Sequence, residues 1–225
     1  MATWKKHILA KSKIDQTKKY SIDEAVLLAK ETSYSKFVWS LEIHIKTFAD
    51  PKYNDQNLRG TIVLPNGTWK KVIVAAFVSE DKIEEATQAW ADMAWNEDII
   101  KDIEKWNITF DVLVTSPDMM RDLAKAAKIL WPKWLMPSPK AWTVSTNIVK
   151  TIDELKKGRI EYKLDKTWNI HVVVGKLDFE NWSLAENIET LLKTINDNKP
   201  SWVKWPLIKK IVLSPTMWPW IQISL

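Results

Sequence analysis

Four polar side chains at two-residue spacing, Ser40, Glu42, His44 and Lys46, alternate with the apolar Leu41, Ile43 and Ile45. Along a β-strand such alternation sends one set to a core and the other to solvent, and Phe48 is expected to continue the apolar set. The polar set lines up a hydroxyl, a carboxylate, an imidazole and an ammonium, a solvent-facing row of hydrogen-bonding and charged groups. On the residues alone, a cross-strand salt bridge is the stronger account of Glu42. A second group, Asp165, Lys166, Thr167 and His171, is either a further polar patch near the same sheet or ordinary hairpin chemistry.

Catalytic constellations are poorly represented. The chain has three histidines, His7, His44 and His171, and no cysteine. Disulfides, thiolate chemistry and Cys-based zinc or iron–sulfur sites are therefore excluded, and no Ser-His-Asp, Cys-His or zinc-ligand set stands at a workable spacing. Asp81, Glu84 and Glu85 fall on one exposed helical face and read as solvated. Neither G-x-G-x-x-G nor G-x-x-x-x-G-K-[ST] occurs, even with every tryptophan read as glycine. No cofactor is expected.

The elements that must hold the polar strand can be read outward from it. Ser21 with Asp23 and Glu24 predicts an N-cap and an acidic first turn for a helix reaching about Thr32. A strand at Gly60–Leu64 ends on Pro65-Asn66-Gly67, a turn signal. From residue 70 the style changes: an apolar strand at Lys71–Val78, a helix over 80–89 capped by Ser79, a helix over 96–105, a strand at Phe110–Thr115 and a helix over 118–130. After a proline-rich loop from Pro132 to Pro139, Ser145 is expected to cap a helix ending at Lys157 before Gly158. Alternating helices with continuous apolar strands indicate a parallel α/β layer. Beyond Gly158 the alternating style returns, with strands at Arg159–Leu164, Ile170–Val174, Leu207–Ser214 and 221–225. Ser183 and Glu186 have the spacing of a capping box for a helix reaching about Asn196.

The expected architecture is α/β with two domains. Residues 1–67 plus 158–225 would form a discontinuous α+β split sandwich, interrupted by a Rossmann-like α/β insert at 68–157. Charge follows the same division. The two ends carry 20 Lys/Arg against 14 Asp/Glu, a balance of +6, whereas the middle carries 13 against 14, a balance of −1. Excess positive charge on the ends suits a polyanion. No apolar run approaches the ~20 residues of a membrane helix, and the lysine-rich start lacks a secretory apolar stretch. A cytoplasmic protein without a membrane partner is expected.

Several longer motifs resemble the ribosomal protein L-one family, the protein of the mobile large-subunit stalk. They are Lys36-Phe37-Val38-Trp39-Ser40-Leu41-Glu42-Ile43-His44-Ile45-Lys46, Asp55-Gln56-Asn57-Leu58-Arg59-Gly60, Leu64-Pro65-Asn66-Gly67, Thr115-Ser116-Pro117-Asp118, the loop 132–144, Asp165-Lys166-Thr167 with His171, and Thr216-Met217. The resemblance runs through essentially the whole chain in order. It implies rRNA contacts by Phe37, Ser40, Glu42 and Lys46, and by a turn at Thr216-Met217-Trp218 where the family has Thr-Met-Gly. It also implies a monomer within the ribosome, partnered by the rRNA of the stalk and by exit-site tRNA whose release it assists. A further implied partner is its own mRNA, whose translation the family represses. The alternative from the residues is a nucleotide-using enzyme built on the α/β insert.

One departure from the family is systematic. The chain has 15 tryptophans and 4 glycines, and Trp69, Trp90, Trp95, Trp131, Trp134, Trp142, Trp168 and Trp218 stand where the family has glycine. Many of these contexts are turns, which call for a residue free of steric cost at positive φ. A source that decodes UGA as glycine would account for the exchange; UGG codons at these positions would exclude it.

Overall fold

The computed structural model describes residues 2–33, 37–53, 56–79, 82–95, 103, 106, 108–199, 206–216 and 219–224. The chain separates into two compact units, Met1–Trp69 with Ile160–Leu225, and Lys70–Arg159.

In the first unit, α1 spans Ala2–Ser12 and α2 Ile22–Thr32. Ser21 accepts from the Glu24 amide while the Glu24 side chain accepts from the Ser21 amide, a complete capping box. The strand expected from the alternation is β1, Ser40–Thr47. With β7 (Asn169–Lys176), β8 (Ile208–Pro215) and β9 (Ile221–Ile223) it forms a four-stranded antiparallel sheet ordered β7-β1-β8-β9. β2 (Arg59–Val63) and β6 (Arg159–Lys163) make a separate two-stranded sheet. The remaining helix of this unit is α7, Asn181–Asp197.

One face of the four-stranded sheet is the core. Leu41, Ile43 and Ile45 of β1 join Ile170, Val172 and Val174 of β7, with Ala25, Val26 and Ala29 of α2 and Leu184, Ile188, Leu191 and Ile195 of α7. The two helices therefore cover the inner face and leave the polar side of β1 as the outer one. Asn187, fully buried on α7, donates to Val174 O and accepts from the Asn66 amide, tying the helix to the sheet and to the turn after β2.

In the second unit, β4 (Met93–Trp95), β3 (Val74–Phe77) and β5 (Val112–Thr115) form a parallel sheet in that order. Its helices are α3 (Ile83–Gln88), α4 (Met120–Leu123), α5 (Ala127–Leu130) and α6 (Ile148–Lys156), with a 3-10 turn at Ala124–Ala126 between α4 and α5. Val74 and Ala76 pack with Ala86, Ile148 and Ile152 on one side, while Ala75 and Phe77 pack with Leu113, Leu123, Ala126 and Leu130 on the other. A strand buried on both faces reads as a continuous apolar run, which is why β3 lacks alternation.

Several sequence expectations are corrected. Phe48 is exposed and Thr47 is buried in its place, because the two-residue period that sends Leu41, Ile43 and Ile45 inward continues to Thr47 and leaves Phe48 on the other side. The helix expected over 80–89 begins at Ile83 with Lys82 at its N-cap and no side-chain cap. The α6 cap is Asn147, whose side chain accepts from the Lys150 amide; Ser145, two residues earlier, accepts from the Asn147 amide. Ser183 and Glu186 form no capping box: α7 starts at Asn181 after Glu180, and Ser183 is buried in its first turn. The expected 118–130 helix is broken by the 3-10 turn. Most of the helix expected over 96–105 lies outside the described residues.

Candidate RNA-binding interface

The outer face of the four-stranded sheet is organised by register. Lys46 stands opposite Asn169 of β7 and Lys210 of β8; His44 opposite His171 and Val212; Glu42 opposite Val173 and Ser214; Ser40 opposite Lys176. The row from Ser40 to Lys46 covers about 20 Å at the usual strand rise. Its inward neighbours are locked in the core, so the outward directions of these four side chains are fixed by the pleat.

At the Ser40 end, Thr216 closes the site. Its amide donates to Ser40 O at 3.0 Å, and its hydroxyl donates to Glu42 Oε1 at 2.7 Å with Ser40 O also within 3.2 Å. Glu42 is thus held by a hydroxyl, and among the described residues it makes no ion pair, against the salt-bridge expectation. The carboxylate keeps acceptor capacity for groups arriving from solvent. Phe37, 69% exposed, precedes β1 with its ring 5.6 Å from that of Trp39.

At the Lys46 end lies the turn Asp165–Trp168 that leads into β7. Asp165 accepts from the Thr167 amide at 3.0 Å and from its hydroxyl at 2.7 Å. The Thr167 hydroxyl, followed by its amide, pulls the Asp165 carboxyl below its ordinary value. The turn abuts β1, since Trp168 O accepts from the Thr47 amide and hydroxyl. Lys46, Lys166 and Thr167 are all exposed. Hairpin chemistry and proximity to the sheet therefore both hold for this group.

His44 and His171 meet between the two ends. Their Nδ1 atoms lie 2.8 Å apart, so one ring donates and the other accepts, and His171 Nε2 is 3.8 Å from Asp165 Oδ2. Burial, followed by repulsion from His171, lowers the His44 pKa below its ordinary value, with Glu42 opposing. The neutral form of His44 is favoured in the free protein.

The structure thus gathers Ser40, Glu42, Lys46, Asp165, Thr167, His171 and Thr216 along one face and its rim, with Phe37 and Lys166 in the adjoining segments. Met217 and Trp218 lie outside the described residues. Asn169, Lys176 and Lys210 were missed from the sequence, and His44 was placed on the outward face without a partner. The alternation in β1 and β8 was a usable signal for His44 and Lys210, but only register shows that His44 faces His171 and that Lys210 faces Lys46. No group of three His, Cys, Asp or Glu able to hold a metal ion occurs among the described residues, and none of their helices is long and apolar enough to cross a membrane.

Comparison with known proteins agrees with the motifs. Residues 29–219 match the ribosomal protein L1p/L10e family. The chain is 43% identical over 220 residues to the large ribosomal subunit protein uL1 of Kosmotoga olearia, covering 98% of this chain and 95% of that protein. It is 46% identical over 212 residues to the uL1 protein of Thermosipho africanus (94% and 91% covered), and 44% identical over 205 residues to the uL1c protein of Phaeodactylum tricornutum (91% and 89% covered). The chain therefore belongs to the ribosomal protein L1p/L10e family, whose relatives named here are ribosomal proteins of the large subunit and not enzymes.

Proposed function

We propose that this protein is a structural constituent of the large ribosomal subunit that binds the rRNA of the stalk through the outer face of the β7-β1-β8-β9 sheet. The observation that carries the reading is the row Ser40, Glu42, His44 and Lys46, flanked by Thr216 at one end and the Asp165–Trp168 turn at the other. A mixed row of donors, acceptors and ammonium groups suits folded RNA, which is recognised through 2′-hydroxyls, phosphates and shape. In this reading the first unit is the rRNA-binding domain and the second a Rossmann-like insert acting as an appended lever. The protein assists release of deacylated tRNA from the exit site, and the same face serves to repress translation of its own mRNA.

Filter binding with a stalk rRNA fragment tests the reading. Binding by the full chain that falls steeply with salt, and that survives removal of residues 70–159, is expected. A chain that binds a nucleotide and no RNA would instead favour an enzyme built on the second unit.

A further inference from the structure

Seven described residues adopt positive φ, and they are of two kinds. Two are the glycines Gly67 (64°) and Gly158 (91°); the other five are all tryptophan: Trp90 (65°), Trp106 (64°), Trp134 (59°), Trp142 (57°) and Trp168 (70°). When a residue other than glycine enters the left-handed region it is usually Asn or Asp, whose short side chains bond locally. No asparagine or aspartate of this chain does so among the described residues.

The hydrogen bonds around these tryptophans define motifs built on glycine. After α3, the Trp90 amide donates to Thr87 O and the Ala91 amide to Ala86 O. After α5, the Trp134 amide donates to Trp131 O and the Leu135 amide to Leu130 O. After the 3-10 turn Pro139–Ala141, the Trp142 amide donates to Pro139 O and the Thr143 amide to Ser138 O. Each pair is the double bond pattern of a Schellman cap, with tryptophan at the left-handed position that glycine ordinarily fills. At Trp168 the amide donates to Asp165 O while the Asp165 amide donates to Asn169 O, a turn closed by a left-handed residue, again a glycine position.

The indoles gain little in return. Trp90 is 82% exposed, Trp134 93%, and Trp106, Trp142 and Trp168 are exposed as well. The written glycines, by contrast, all have a local reason. Gly67 and Gly158 have positive φ, and a Cβ at Gly60 or Gly175 would lie 2.5 Å from Tyr162 Oη or 2.8 Å from Leu184 Cδ2.

We infer that residues 90, 106, 134, 142 and 168 are glycine in the protein its own cell makes, the codon rendered here as tryptophan being decoded there as glycine. The exposed indoles are then no base-stacking surface. On the reading of the sheet face as RNA-binding, glycine at 168 leaves the main chain beside Thr47 open to close approach by RNA.

The test is peptide sequencing by mass spectrometry of the protein purified from its own cells. Glycine at 90, 106, 134, 142 and 168 is expected, and tryptophan at these positions overturns the inference whatever the RNA result. A second measurement compares thermal melts of the chain as written with two fivefold variants, one carrying Trp→Gly and one Trp→Ala at the five positions. The glycine variant should melt highest, because it alone relieves the left-handed backbone. Equal gains for alanine and glycine, or no gain for glycine, contradict the backbone argument.

Discussion

Replacing Lys46 by glutamine should strengthen the free protein slightly while weakening its hold on RNA. In the β1–β8 register Lys46 stands directly opposite Lys210, and its other neighbour, Asn169, carries no charge. Like charges directly opposite on a sheet face cost roughly 0.2–1 kcal/mol, so removing one should raise the unfolding free energy by a few tenths of that unit. Bound RNA reverses the balance. Each ammonium that neutralises a phosphate adds about 0.7–0.9 to the slope of log affinity against log salt. A fourfold rise in salt, from about 50 to 200 mM, should then cost the parent chain a further factor of about 3 relative to the variant. The assay is filter binding of both proteins to the stalk rRNA fragment across that range, beside urea unfolding of the free chains. Parallel salt slopes would refute the assignment of Lys46 to a phosphate, and a large drop in stability would refute the like-charge argument.

Three other outcomes follow from the packing and titration of the same unit. Ile43→Ala, at a fully buried position facing α2 and α7, should lower the unfolding free energy by about 2–5 kcal/mol; a loss under about 1 kcal/mol by urea titration would contradict the core as described. Gly60→Ala drives a Cβ against the buried Tyr162 ring, whose hydroxyl accepts from Asn198 at 2.8 Å, and should cost about 1–3 kcal/mol by the same measurement. The lowered His44 pKa means that folding favours its neutral form. Its contribution to stability is therefore complete above the ordinary value of 6.5 and is lost as pH falls through the lower folded value. RNA opposes this by favouring the charged form, so affinity should rise on acidification. An NMR titration that finds His44 at or above its ordinary value in the free chain would break the argument.

The parts of this fold legible in the sequence were those governed by local pattern. Leu41, Ile43 and Ile45 against Ser40, Glu42, His44 and Lys46 gave both the strand and its outward face, and Ser21 with Glu24 gave the start of α2. Phe48 was misplaced because its apolar character was given more weight than the two-residue period: unbroken alternation along β1 sends Thr47 inward after Leu41, Ile43 and Ile45 and leaves Phe48 on the outer side. Ser145 and Asn147 are both good capping residues, and only backbone geometry selects the second. Ser183 and Glu186 match a capping box in spacing, but α7 begins two residues earlier. β4 is three residues long, too short to carry a period. At the site, the partner of Glu42 is Thr216, 174 positions away, and His44 meets His171 across 127 positions. Such pairings belong to register, and one sequence read alone does not contain it.

The central claim, that the outer face of the β7-β1-β8-β9 sheet is the RNA contact, is tested most directly by NMR mapping of the full chain titrated with stalk rRNA. Amide signals of residues 40–46, 165–176 and 208–216 should shift or broaden together, while those of β3 and β5 in the second unit stay in place. Perturbation confined to residues 70–159, with the sheet face unchanged at saturating RNA, would contradict the account.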